Sequence, residues 1–275
     1  MTIGVSHRAL ALAVLEAATP DGKTAAAANA CEVATFGEVR IDRTERFAPP
    51  IRPGRPQRPE LVAPKDTPRR RLSSPEGRAI LIHAVAHIEL NAIDLAFDMS
   101  ARFSGEIEDL GLDAAAFVAD WFEVGADEAR HFRLLADRLA ELGHEYGDWP
   151  AHDGLWRAAE STSDDVAARL AIAPLVLEAR GLDVTPGMIS KLRDAGDELS
   201  AVALSTIYAE EVDHVRKGVN WFRRVCEARR VEPESAFKRY VSERFNGPLK
   251  PPFNATARER AGMPPSYYAN ADVAV

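Results

Sequence analysis

A chain of 275 residues with 46% apolar side chains is long enough to bury one large core or two small ones. Its formal net charge of −8 argues against a surface made for nucleic acid. Two widely separated cysteines, Cys31 and Cys226, argue against a disulfide framework or a cysteine-based zinc site, and read as small buried or half-buried residues.

No apolar run approaches the roughly 20 residues that cross a membrane. The apolar stretch after His7 and Arg8 is interrupted by Glu16 and followed by no convincing cleavage site. It reads as an amphipathic helix of a cytoplasmic protein, not as a signal peptide. Residues 6–31 are Ala-rich and predict two short helices split by Pro20-Asp21-Gly22. From Phe47 to Pro68 recurrent proline excludes a helix interior or a central strand, which leaves an extended arm. The basic run Arg69-Arg70-Arg71 behind it reads as solvated.

Ser73-Ser74-Pro75-Glu76 then opens a long helix to about Phe103, with Gly105 and Gly111 bracketing the break. A second helix spans about Asp113 to Leu142 and stops at Gly143. A third begins near Ser163-Asp164-Asp165 and reaches about Asp183, and Thr185-Pro186 starts a shorter one that ends near Gly196. A fourth runs from Asp197 to about Arg229. Residues 144–162 form the long linker between the two helix pairs. The tail, 231–275, carries Pro248, Pro251, Pro252, Pro264 and Pro265 and is expected to be mostly irregular. With no strand-like alternation anywhere, the expectation is an all-α fold. Residues 1–72 supply helices and an arm packed on the core, 73–230 a four-helix bundle, and 231–275 a wrapping tail.

Charged groups on apolar helix faces need a cause. At 100° per residue, Glu128 shares its face with Phe117, Trp121, Val124, Phe132 and Leu135, and His131 lies beside it. Glu211 sits with Leu204, Ile207, Tyr208, Val215 and Phe222, and His214 repeats the three-residue offset. Glu89 shares a face with Ile82, Val85 and Ile93, and Glu178 with Ala171, Leu175 and Leu182. Each long helix therefore carries one glutamate toward the core, two of them followed by histidine. Burying an ionised carboxylate unpaired costs several kcal/mol, and four converging ones require cations between them. Two divalent ions balance four carboxylates. One Glu from each of two helices plus Glu-x-x-His from each of the others is the arrangement of di-iron and di-manganese carboxylate bundles, and the mixed oxygen and nitrogen donor set suits iron or manganese.

The wording of these segments carries a resemblance. HAVAHIELNAIDLAFD, DWFEVGADEARHF, LVLEARGLDVTPGM, YAEEVDHVRKG and KPPFNATARERAG resemble the ferritin-like family catalogued as domain of unknown function 455, over most of the chain including the arm and the tail. The resemblance implies a ferritin-like four-helix bundle. Its relatives include the di-iron tRNA hydroxylase acting on a prenylated, methylthiolated adenosine, and the bacterial multicomponent monooxygenases, whose motif DEARH resembles. By that likeness Asp127 would hold the His214 ring and Glu210 the His131 ring. Arg130 and Arg180 would offset the charge of these acids, with Asp183 pairing with Arg180. Tyr208 is a candidate hydrogen bonder or redox-active phenol beside the site, with plain core packing as the other reading. His83 and His87, at i and i+4, lie on another side of their helix and read as interhelical or surface histidines.

The activity implied is an O2-activating oxidoreductase with two iron ions, manganese or a mixed pair being the alternative metals. It would be a hydroxylase or oxidase of an unidentified organic substrate. Because the chain has no flavin, Rossmann or cysteine-rich segment, electrons would come from a donor protein. The other readings are a non-enzymatic metal-binding or ferroxidase-type bundle, and a tRNA-modifying hydroxylase, which the acidic charge does not encourage. The proline-rich ends suit a monomer or dimer.

Overall fold

The computed structural model describes residues 4–37, 39–42, 49–245 and 247–269. The first three residues of the chain and the start of the expected arm at Phe47 lie outside them. The described chain is dominated by helices, with two short parallel strands, β1 (Val5–Ser6) and β2 (Val39–Arg40), as its only paired sheet among the described residues.

Side-chain caps set where the long helices begin. Ser74 accepts from the Gly77 amide and opens α3 (Pro75–Asp109), with Pro75 in the first turn where its missing N–H costs nothing. Asp113 caps α4 (Ala114–Glu141), Asp165 caps α6 (Val166–Ile172) through two amides, and Asp197 caps α8 (Glu198–Ala228). Gly111, Gly143 and Gly196, at φ of 73°, 80° and 74°, take the left-handed conformation that ends the helix before each turn.

α3 packs along α4, and α8 packs along α7 (Ala179–Asp194). Contacts of α4 with α8 and of α3 with α6 close the four segments around a shared interior. Two glycines allow close approach there. A Cβ on Gly125 would lie 2.5 Å from the Phe97 ring of α3, and one on Gly218 would lie 2.3 Å from Pro174 Cβ. α1 (His7–Leu15) and α2 (Pro20–Thr35) cover the outer side of α3 and α4. α3 is long and apolar enough to cross a membrane, yet 72% of that stretch is buried inside the protein, so its apolar length is used against other helices.

The structure departs from the sequence reading in several places. Pro20, Asp21 and Gly22 are not a break but the first turn of α2, capped by Thr19. α3 runs through Gly105 to Asp109 because Ile107 is buried in the core. The linker holds a further helix, α5 (Gly154–Ser161), and the tail holds α9 (Pro233–Arg244) and α10 (Ala255–Arg260). Pro186 lies inside α7 and does not start a new helix. A proline there leaves the carbonyl four residues back without its donor. That carbonyl, Leu182 O, accepts instead from the Asn254 side chain of the tail at 3.1 Å. Between α6 and α7 the chain makes a π-helical turn, Ala173–Glu178, which ends on one of the core glutamates.

Candidate metal centre

Three long helices bring their acids to one place. Ligand atoms of Glu89 (α3), Glu128 and His131 (α4) and Glu211 (α8) all lie within 4.8 Å of one another. His131 Nδ1 is 3.2 Å from Glu89 Oε2, 3.5 Å from Glu128 Oε2 and 3.6 Å from Glu211 Oε1. His214 Nδ1 stands in the corresponding place on α8, 3.1 Å from Glu128 Oε1 and 3.5 Å from Glu211 Oε1. Glu128 thus faces one imidazole with each oxygen, and the two rings are 5.7 Å apart. Glu178, at the end of the π turn, stands near enough to feel the charges of Glu211 and Glu128.

The inward-facing atoms are short of protein partners. Glu128 Oε2, Glu178 Oε2 and His214 Nδ1 are buried without a hydrogen bond of proper geometry, a condition that buried polar atoms rarely tolerate. The side chains are dry: His131, His214 and Glu128 are 0%, 1% and 2% exposed, and Glu211 keeps 13%. Phe132, Val124, Trp121 and Val215 are buried on the same helix faces.

The electrostatics describe a charge deficit. Burial, then the neighbouring charges of Glu211 and Glu128, push the Glu178 carboxyl up to about 8. Burial and the charge of Glu128 push Glu89 and Glu211 upward as well. Burial opposes charge on His131 too, but Glu128 and Glu89 outweigh it and carry the imidazole up to about 11. His214 is raised in the same way, against its own burial, first by Glu211. Glu128 itself, despite burial, is held low by the two imidazoles. The buried carboxylates resist ionisation in one another's company and favour a positive partner, so the close group of Glu89, Glu128, His131 and Glu211 could hold a metal ion.

The outer nitrogen of each ring meets an acid of the other Glu-x-x-His segment. His131 Nε2 is 2.6 Å from Glu210 Oε2, and His214 Nε2 is 3.3 Å from Asp127 Oδ2. Arg130 ties the two acids together, donating to Asp127 Oδ1 at 2.6 Å and to Glu210 Oε2 at 2.9 Å. Burial would raise Asp127, but His214 and then Arg130 bring it down to about 2, and Glu210 is lowered by His131 and Arg130 in the same sense. Both acids are therefore fixed as hydrogen-bond acceptors, which leaves Nδ1 of each ring turned to the centre.

Arg180 falls elsewhere than expected, and Tyr208 packs at the edge of the core. Arg180 is not beside this shell: its guanidinium donates to the Lys250 and Pro252 carbonyls of the tail and stands 3.5 Å from Asp183. Asp183 is held chiefly by Arg258, through bonds of 2.8 and 2.7 Å. Tyr208 is half-buried, accepts from the Asn254 amide at 2.9 Å, and lines a cleft between α7 and α8 with Pro186 and Ile189. His83 and His87 face the connection between α4 and α5, not another helix. His83 Nε2 accepts from the Gly147 amide, while His87 joins Tyr146 through Nδ1 and the His152 carbonyl through Nε2. Sequence reasoning missed Asn254 and Arg258. The signal available was Pro186 itself, whose helix, if continuous, demanded a donor for Leu182.

The fold and centre define an all-α protein with a buried glutamate–histidine group able to bind metal. The chain belongs to the family described as "Protein of unknown function (DUF455)", which it matches over residues 16–269. An uncharacterized protein of Haemophilus influenzae is 40% identical over 209 residues, 76% of this chain and 72% of that protein. No solved structure matches the chain.

Proposed function

We propose that this chain is a ferritin-like di-iron carboxylate protein that uses O2 to oxidise an organic substrate. The observation that carries the reading is the paired geometry: two inward Nδ1 atoms, four converging carboxylates, and unpartnered buried oxygens on Glu128 and Glu178. Glu89 and His131 would hold one ion and Glu178 and His214 the other, with Glu128 and Glu211 between them. Two iron(II) ions bound there supply the electrons that O2 chemistry requires, and manganese would satisfy the same donors. Asp127 and Glu210 keep a proton on each Nε2, so that each Nδ1 stays a ligand. Phe132, Val124 and Val215 exclude water from the charged layer. Glu211, more exposed than Glu89 or Glu128, lies one turn from Tyr208 and the α7–α8 cleft, which is the approach we assign to a small-molecule substrate. Electrons for turnover would come from a partner protein. We further read the chain as a cytoplasmic monomer or dimer that needs neither membrane nor nucleic acid.

The test is anaerobic loading with iron(II), a count of iron per chain, and then O2 uptake. Two ions per chain and rapid O2 consumption are expected, and Glu128→Ala with Glu211→Ala should bind none while keeping its helicity. Failure of the wild-type protein to bind any transition metal under any reconstitution ends this reading. Continued oxidation of iron far beyond two ions per chain would favour a ferroxidase instead.

A further inference from the structure

A second built cavity lies on the opposite side of α3. Leu90, Asn91, Asp94 and His87 are about 100–160° round the helix from Glu89, and they form the floor of a cavity of about 170 Å³ roofed by the proline-rich arm. The arm is pinned over it on every side. Gly54 N–H donates to Leu15 O at 2.6 Å, and a Cβ at that glycine would strike Glu16 O at 2.5 Å. Val62 and Ala151 N–H bond across to Ala151 and Glu60 carbonyls, and Trp156 Nε1 donates to Ile51 O at 3.0 Å. The space is therefore part of the fold and not a gap under a loose loop.

Its walls are mostly apolar: Pro53, Pro56, Pro59, Leu61, Leu90 and the Trp156 ring. The polar groups can be accounted for one by one. Lys23 and Asp94 form a buried ion pair, and Lys23 also donates to Val14 O. Arg52 is engaged by Asp153 at 3.1 Å and Glu160 at 3.4 Å. Asn91 spends an amide hydrogen on the His87 carbonyl, and the Tyr146 hydroxyl faces His87 Nδ1. Arg55 alone is left over. It donates to the Pro59 carbonyl at 3.1 Å and has no carboxylate partner among the described residues. Arg55 reaches solvent at the mouth of this mostly apolar space, a position from which its guanidinium can meet the carboxylate of a ligand whose apolar body enters the cavity. A cavity of roughly 150 Å³ accommodates a benzene ring.

We infer that this arm-covered cavity binds a small carboxylic acid with a compact apolar body, ring-sized or branched, its carboxylate on Arg55 and its body against Trp156 and Leu90. The inference does not rest on the metal reading, since none of its residues belongs to the centre.

Benzoate is the probe, followed by the Trp156 indole N–H resonance, assigned by its loss in Trp156→Phe. Saturable movement with benzoate is expected, much weaker movement with benzyl alcohol, and none with inorganic phosphate. Arg55 is exposed, so Arg55→Gln should fold with unchanged helicity while weakening benzoate at least tenfold. An indole signal unmoved by millimolar benzoate, equal affinity in Arg55→Gln, or phosphate competing as well as benzoate would each overturn the proposal.

Discussion

Asp127, Glu210 and Arg130 show how charge outside the centre prepares the charge inside it. Arg130 bonds both acids, and each acid bonds the imidazole of the opposite segment. Outer partners of metal-bound histidines typically contribute 10–100-fold in affinity. Glu210→Gln is therefore expected to weaken metal binding by about that factor in competition with a chelator, whereas Arg180→Ala, which touches only the tail and Asp183, should leave it unchanged. The faces of Glu89, Glu128, Glu178 and Glu211 were legible in the sequence because helical periodicity places a charge against a dry stripe. The position of Arg180 was not, since its partners are backbone carbonyls some 70 residues away that no local pattern announces.

Three other histidines work in the opposite electrostatic sense. Burial lowers His7, His83 and His87 from 6.5 to about 4 each. The unfolded chain then binds more protons than the folded one between those values, so each histidine withdraws stability as pH falls from about 6.5 toward 4 and withdraws none above that range. Denaturant midpoints of metal-loaded protein should be level near neutrality and drop below pH 6.5, and NMR should show the three imidazoles neutral at pH 5.5. Imidazoles that titrate near 6.5 would contradict the packing around them.

Among the elements, the segment from α6 to α7 carries the most unusual geometry. The π turn at Ala173–Glu178 was invisible to a reading at 3.6 residues per turn, because one extra residue in a turn leaves the apolar pattern intact over so short a span. Pro186 misled for a related reason: local chemistry says that a helix stops there, and only a donor from the tail, Asn254, lets it continue. The π turn is seated against α8 at Gly218, where an added Cβ would meet Pro174 at 2.3 Å and Leu175 at 3.3 Å. Gly218→Ala should therefore cost about 1–3 kcal/mol of stability by overpacking, measured by chemical denaturation. A neutral result would mean that the turn yields freely and does not hold Glu178 in place. Tail helices α9 and α10 escaped notice because the prolines around them read as breakers, although Pro233 sits in a first turn, where proline is favoured.

At the scale of the molecule, the arm and the described part of the tail are both bound to the helical core. The arm is stitched to α1, to Ala151 and to Trp156. The tail is stitched to α7 by Asn254 and by the buried Arg258–Asp183 pair. The family match runs through both of these segments, from residue 16 to 269, as expected if the wrapping and the core form one folding unit. Inside that wrapping buried glutamates face one another across two imidazoles, with Arg130 as the arginine beside them, and burial and mutual repulsion resist their ionisation unless a cation joins them, which is the reason to expect metal in the native protein. Anomalous scattering from crystals of iron-loaded protein, collected on either side of the iron edge, tests this most directly. Two peaks are expected, one against Glu89 and His131 and one against Glu178 and His214, with Glu128 and Glu211 between them. No peak among these six residues, or density explained by protonated side chains hydrogen-bonded to one another, would contradict it.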